Sequence, residues 1–235
     1  MKKKITAIFL CVALVAIAVV GASLAYFTDT DKADNVFTTG KVDISIKENF
    51  EQNSKLLPAT GSAQDGTLKN GVKKQVAVKV EDGSEDTFVR VHIAIPNILD
   101  NGDPGFDAGK NILHFNYSGD SIGEGKWDWS KTAGEPYFAD FNYYETDIDG
   151  IKYNVYVITY GTALEAGQTT PEYAMHQVYL DSKVTSDDIE KINETLGTDW
   201  EIKVIAEGCQ SAGFSDAYAA LNAAFGTPGN YVPAA

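Results

Sequence analysis

The side chains that could do chemistry are few, and their spacing does not match that of a zinc hydrolase. The three histidines, His92, His114 and His176, lie in three separate predicted strands. Zinc hydrolases commonly place two histidines one helical turn apart, as in His-Glu-x-x-His, and no such pair occurs here. We therefore expect each histidine to be a packing or strand-face residue, and we predict no catalytic residue, no cofactor and no enzymatic activity.

An Asp-rich loop is the best candidate for binding a metal. The run Asp100-Asn-Gly-Asp-Pro-Gly-Phe-Asp107 places three carboxylates, those of Asp100, Asp103 and Asp107, within eight residues. Calcium takes six to eight oxygen ligands, and such a loop supplies several of them. The loop lacks the EF-hand spacing, however, and the same residue types form turns for backbone reasons alone. The three aspartates are therefore weak calcium candidates.

Aromatic residues crowd the middle of the chain. They are Trp127, Trp129, Tyr137, Phe138, Phe141, Tyr143, Tyr144, Tyr153, Tyr156 and Tyr160. Exposed aromatic platforms bind sugars in some β-sandwich proteins, so a glycan-binding surface is one interpretation. Strands favour aromatic residues for packing as well, and cross-strand aromatic pairs stabilise sheets. A monomeric surface module that binds glycan or calcium is therefore the alternative function.

Composition limits the partners. The formal net charge is −14 at pH 7 and becomes −17 without the first 25 residues, which hold three lysines and no acid. A chain this acidic should not bind nucleic acid, because phosphate binding needs clustered basic residues. Removal of those residues leaves Cys209 as the single cysteine, so no intramolecular disulfide forms, and we expect this thiol to be buried.

The N-terminus has the pattern of an export signal. Three lysines, Lys2 to Lys4, precede an apolar run, and small residues follow at Gly21-Ala-Ser-Leu-Ala25. This order predicts a signal peptide over residues 1–25, cut by signal peptidase between Ala25 and Tyr26. An uncleaved membrane anchor is the alternative, because Ile5 to Phe27 is uncharged and long enough to span a bilayer. Cys11 follows the bulky Leu10, which does not suit a lipidated cysteine.

The rest of the chain reads as mainly β. Alternating apolar residues predict antiparallel strands, with turn residues between them. The predicted strands are Lys41–Ile46, Val72–Val80, Thr87–Ile95, Ile112–Tyr117, Tyr137–Tyr144, Ile151–Tyr160, Glu172–Leu180 and Trp200–Glu207. The run Asp147-Ile-Asp-Gly150 predicts a hairpin turn.

Two helices are predicted at the periphery, Thr185–Gly197 and Ser215–Phe225, the second capped by Ser215. The expected fold is an antiparallel two-sheet β-sandwich, jelly-roll-like, with short peripheral helices. We place the β-sandwich domain at residues 41–226, between an N-terminal strand-like segment at 26–40 and a loose C-terminal tail at 227–235.

The first 50 residues resemble the TasA and camelysin family of exported biofilm matrix proteins. These Gram-positive proteins carry A-x-F-[ST]-D after the signal and F-x-[ST]-G-x-[LV]-D-[LI] soon afterwards. The first motif corresponds to Ala25-Tyr-Phe-Thr-Asp29 and the second to Phe37-Thr-Thr-Gly-Lys-Val-Asp-Ile44. The tail Ile205–Phe214, followed by an Ala-rich helix, is similar to the ending of many relatives.

The resemblance implies a secreted structural subunit of an extracellular fibre. In such fibres the N-terminal segment of one subunit completes a sheet of the next, and a dedicated ER-type signal peptidase releases that segment. The assembly strand would use Phe27, Val36 and Phe37 as apolar anchors, with partners being other copies and other matrix proteins. Before cleavage the chain would meet the membrane through its signal alone. The competing interpretation of residues 26–37 is that they lie against their own domain or stay mobile. A secreted protease is the third hypothesis for the function, because camelysin relatives have been described as metallopeptidases.

Overall fold

The computed structural model describes residues 40–51, 54–61, 67–100, 112–116, 127–128 and 143–229. One compact unit comprises Val42–Ala235 and contains every helix and strand described below. The other unit is Met1–Lys41, of which the described part is residues 40 and 41.

Two antiparallel sheets form the molecule, as the alternating pattern predicts. The strands are β1 (Ile44–Phe50), β2 (Val72–Val80), β3 (Thr87–Pro96), β4 (Leu113–Asn116), β5 (Trp127–Asp128), β6 (Tyr143–Ile148), β7 (Ile151–Tyr160), β8 (Met175–Leu180) and β9 (Lys203–Gln210). Sheet 1 has the order β1-β2-β8-β4, and sheet 2 has the order β5-β7-β3-β9, with β6 also paired to β7. The mainly β, two-sheet architecture is confirmed.

The main core lies between the sheets and is built from alternate residues of the strands. On β2 the valines at 72, 76, 78 and 80 face it, and on β3 so do Val89, Val91, Ile93 and Ile95. Trp127 and Tyr160 meet edge to face within it, with ring centroids 5.2 Å apart. Because side chains alternate across a strand, each sheet turns one apolar face inward.

Strand β3 is buried on both faces, which the alternating pattern alone does not predict. All ten of its residues are buried. Its outer face is covered by a second apolar cluster around Phe88 and the C-terminal helix, and by a third around Ala94 and Tyr153. Sheet 2 therefore has an outer layer as well as the inner core.

The ends of several strands differ from the sequence prediction. Strand β6 continues to Ile148 rather than ending at Tyr144, and β8 begins at Met175 rather than at Glu172. The first strand begins at Ile44 and continues to Phe50, rather than covering Lys41–Ile46. The last begins at Lys203 and continues to Gln210, because its pairing with β3 extends to Thr87. Pairing with a neighbouring strand decides these ends, whereas the local pattern shows only which residues alternate.

The hairpin predicted at Asp147–Gly150 forms between β6 and β7. Asp149 and Gly150 occupy the turn with φ of 55° and 82°, and Ile148 pairs with Ile151. Two successive residues with positive φ match the right-handed twist of the strands they join.

Two helices are described, α1 (Ser186–Leu196) and α2 (Ala217–Phe225). Helix α1 begins at a capping box in which the Thr185 and Asp188 side chains each bond the other's backbone N–H, and Gly197 ends it. Helix α2 is capped by Asp216, whose carboxylate accepts from the Ala219 N–H, so the predicted Ser215 cap is wrong.

Candidate functional site

One edge strand of each sheet, β1 of sheet 1 and β9 of sheet 2, lies beside the other. Within the described part of the chain β1 pairs with β2 alone and β9 with β3 alone, so each keeps one edge open. The strands approach closely at one end, since a Cβ placed on Gly208 would lie 2.9 Å from Cγ2 of Ile44. We call the region formed by β1 and residues 202–208 the edge seam.

The edge seam is incompletely covered away from Gly208. Ile46, Ile202 and Val204 pack against the main core, yet each stays only partly buried. At the far end of β1, Phe50 shares a face with Ile46 and is 43% exposed. Half-covered apolar side chains beside unpaired strand edges are the features to which an extended segment binds when it adds a strand.

Lys74 interrupts the core-facing row of β2. In the pairing of β1 with β2, Lys74 lies directly opposite Phe50, and Val76 lies opposite Glu48. Lys74 is only 7% exposed. Its Nζ donates to Glu48 Oε1 at 3.0 Å and lies 5.0 Å from the centre of the Phe50 ring. A buried ammonium is costly unless it is paired, so this pair and the ring hold the charge at the open end of the seam.

A second charged group is buried on the outer face of sheet 2. Arg90 and Glu207 face each other from β3 and β9 and form a hydrogen-bonded ion pair, with both residues at most 4% exposed. Arg90 also donates from Nη1 to Asn222 Oδ1 at 3.0 Å and from Nη2 to the Gly226 carbonyl at 3.1 Å. These two bonds attach the C-terminal end of α2 to the sheet, where a positive charge also suits the helix dipole.

His92 completes this outer network. Its Nε2 lies 3.1 Å from Glu207 Oε2, and its Nδ1 lies 3.2 Å from the Tyr144 hydroxyl on β6. Burial acts to raise the pKa of Glu207, but the His92 hydrogen bond and the charges of His92 and Arg90 outweigh it and lower that pKa. The network therefore holds Glu207 as a carboxylate and connects β3, β6, β9 and α2.

The Cys209 thiol is buried, as expected, and its environment suppresses reactivity. Cys209 is a free cysteine that packs with Phe88 and with Leu221 of α2. Burial raises the pKa of this thiol to about 12. Because the thiolate is the nucleophile, the residue is chemically quiet in the folded protein.

The histidines take up separate structural positions. His114 is buried with its Nε2 2.9 Å from Asp181 Oδ2, and it stacks on Tyr179 at 5.3 Å. His176 meets Tyr173 edge to face at 5.2 Å, and burial lowers its pKa. Among the described residues no group of three His, Cys, Asp or Glu side chains is arranged to hold a metal ion.

Asp100 is the one calcium candidate within the described residues. Its Oδ2 accepts hydrogen bonds from the Tyr156 hydroxyl at 2.7 Å and from Asn154 Nδ2 at 3.1 Å. Asp103 and Asp107 lie outside the described residues, so calcium binding by this loop stays a prediction. The same holds for the cleavage residues Ala25 and Tyr26 and for the assembly anchors Phe27, Val36 and Phe37.

Three features were missed by reading the sequence. Lys74 alternates with Val72, Val76, Val78 and Val80, so the sequence already indicated that its side chain shares their core-facing side. The Arg90–Glu207 pair is separated by 117 residues and left no local signal. Gly119-Asp-Ser-Ile-Gly123 fits Gly-x-Ser-x-Gly and lies outside the described residues. That motif acts at a strand–turn–helix of an α/β-hydrolase sheet, whereas the described strands all pair with one another in antiparallel fashion.

The fold and the edge seam define a two-sheet β-sandwich protein with open strand edges. A family model described as camelysin metallo-endopeptidase matches residues 1–70, which confirms the resemblance to the TasA and camelysin family over that part of the chain. No curated protein matches the chain. The metal site that the family description implies does not fit the side chains in the described residues. No helix among those residues is long and apolar enough to cross a membrane.

Proposed function

We propose that this protein is a secreted, non-enzymatic subunit of an extracellular matrix fibre, assembled by strand addition. In this proposal residues 26–37 of one copy add a strand at the edge seam of the next copy. The observation that supports it best is the pair of open edges at β1 and β9, lined by partly buried apolar side chains. Main-chain hydrogen bonds would give affinity, and alternate side chains would set the register.

The way the chain enters β1 suits a head-to-tail fibre. Asp43, just before β1, is fixed to the turn between β2 and β3, because its carbonyl accepts from the Glu81 N–H at 2.9 Å and its N–H donates to Ser84 Oγ at 3.0 Å. The start of β1 is therefore fixed at this end of the sandwich. A subunit that receives a strand at its seam and presents its own from one end can repeat indefinitely along one axis.

The first test compares purified protein starting at Tyr26 with protein starting at Thr38. We expect filaments in negative stain and rising light scattering from the longer form alone. The shorter form keeps the seam but lacks the donor segment, so small amounts of it should cap growing filaments and shorten them. If purified protein starting at Thr38 forms filaments without the longer form, strand addition by residues 26–37 is wrong.

A second test locates the acceptor. Val204→Glu places a charge among the half-buried side chains of the edge seam and should raise the concentration needed for assembly about tenfold or more. Asn49→Glu is the matched control, because Asn49 is exposed on the outer face of β1. Equal assembly by the two variants would place the acceptor elsewhere.

A further inference from the structure

We propose that Lys74 is the recognition point of the edge seam and binds an aspartate of the incoming segment. This inference rests on the proposed function and adds the chemistry that selects the partner. The occupant is residues 26–37 of a second copy, and the contact is an ion pair between its Asp29 or Asp31 and the Lys74 ammonium.

On the acceptor side, the Lys74 ammonium pairs with Glu48 but has more N–H donors than this one pair uses. Lys74 is 7% exposed, and an ammonium carries three N–H donors. Among the described residues its side chain has one hydrogen-bond acceptor, Glu48 Oε1. The Glu48 side chain is 39% exposed, and the neighbouring Phe50 is 43% exposed, so the pair lies beside open space. A second carboxylate could join Lys74 there without displacing Glu48.

The donor side has the complementary need. If the donor segment binds as an extended strand, alternate residues share one face, so Phe27, Asp29, Asp31 and Phe37 would lie on one side and Val36 on the other. If the two phenylalanines insert into the seam, the aspartates between them also face it. A carboxylate in that position is costly without a cation, and Lys74 stands in the core-facing row of the acceptor.

The charges of the two segments support the same pairing. Residues 26–37 hold three aspartates and one lysine, whereas residues 41–79 hold seven lysines and four acidic residues. Residues 80–235 hold 26 acidic and eight basic residues, so a negatively charged donor is repelled by most of the subunit and attracted to β1 and β2. Glu81 pairs with Lys47 and Lys79, so the charge difference favours this edge of the sandwich over the rest of the subunit chiefly through Lys73 and Lys74.

The test uses protein starting at Tyr26. Lys74→Met should raise the assembly concentration about tenfold or more and weaken its dependence on salt, while Lys74→Arg should assemble normally. Lys73→Met is the matched control, because it removes the same charge from the adjacent residue, which faces the opposite side of β2. Thermal unfolding of each variant checks that its sandwich is intact.

Donor variants avoid any effect on the sandwich. Asp29→Asn with Asp31→Asn should reproduce the Lys74→Met defect, and Lys74→Glu should regain assembly when combined with Asp29→Lys or with Asp31→Lys. Suppose that the Tyr26 form assembles and the Thr38 form does not. If Lys74→Met and the donor variants then assemble like wild type, recognition by Lys74 is wrong, whereas strand addition is supported. If the Thr38 form assembles, strand addition itself is wrong.

Discussion

Replacing Arg90 with methionine should destabilise the sandwich more than any exposed substitution, because it leaves the Glu207 carboxylate buried without its partner. Removing one member of a buried ion pair costs about 3–5 kcal/mol. The hydrogen bonds to Asn222 and Gly226 contribute about 0.5–1.5 kcal/mol each. The expected loss is therefore about 4–8 kcal/mol, a large share of the roughly 5–15 kcal/mol that stabilises a typical domain.

Urea unfolding followed by circular dichroism measures this loss. With a slope of about 1–3 kcal/mol per molar urea, the midpoint should fall by more than about 1 M. Lys152→Met is the control, because Lys152 is exposed on the neighbouring strand β7. The double variant Arg90→Met, Glu207→Met removes both charges and should recover several kcal/mol relative to the single variant. A single variant that loses less than about 1 kcal/mol, or a double variant with the same loss, would refute the reasoning.

The same pair predicts how stability depends on pH. The pKa of Glu207 is lowered in the folded protein, so its carboxylate contributes stability above its unfolded pKa, and this contribution disappears as pH falls through the folded pKa. Wild type should therefore exceed Glu207→Gln in stability most at pH 7, and the difference should shrink below about pH 4.3. Unfolding midpoints at pH 7, 5 and 3 test this, and a constant difference would contradict it.

Three further outcomes are expected. Because burial raises the pKa of the Cys209 thiol to about 12, a thiol reagent at pH 8 should label it only as the protein unfolds, and fast labelling of folded protein would contradict this. Gly208→Val should cost about 1–3 kcal/mol in thermal unfolding, because its side chain meets Ile44, and adding Ile44→Ala should recover part of the loss. Thr185→Ala should lower the free energy of unfolding in urea by about 1 kcal/mol, because the Asp188 N–H loses its capping acceptor. Ser186→Ala, at the next residue, is the control, and an equal loss from it would argue against the cap.

The sequence predicts this fold well wherever local periodicity decides the structure. The strands Val72–Val80 and Ile151–Tyr160 have the predicted ends, and the hairpin at Asp149 and Gly150 forms because those residues tolerate positive φ. The α1 helix is also predicted by its cap, its apolar stripe and Gly197. Each of these signals lies within a few residues of the element that it specifies.

The charged sites are less predictable because they depend on strand pairing over long distances. Arg90 and Glu207 become partners because β3 pairs with β9 in one particular register. Asn222 joins them because α2 packs on that sheet. A shift of one residue in that register would turn every side chain of β9 to the other face. Alternation shows which residues share a face, but it does not show which strand lies beside which.

Arg90 and Lys74 are both charged residues that are buried in strands, Arg90 on the outer face of sheet 2 and Lys74 in the core-facing row of β2, and they differ in how their charges are satisfied. Arg90 has its charge and its hydrogen bonds satisfied inside the subunit by Glu207, Asn222 and Gly226. Among the described residues Lys74 has one acceptor, beside the edge strands β1 and β9, each of which pairs there with one strand. A buried charged residue in a strand is expected at a functional site when the rest of the fold does not compensate its charge. A charge that is fully paired within the fold stabilises the monomer, whereas a buried charge with one partner at an open edge is suited to an ion pair with the next subunit.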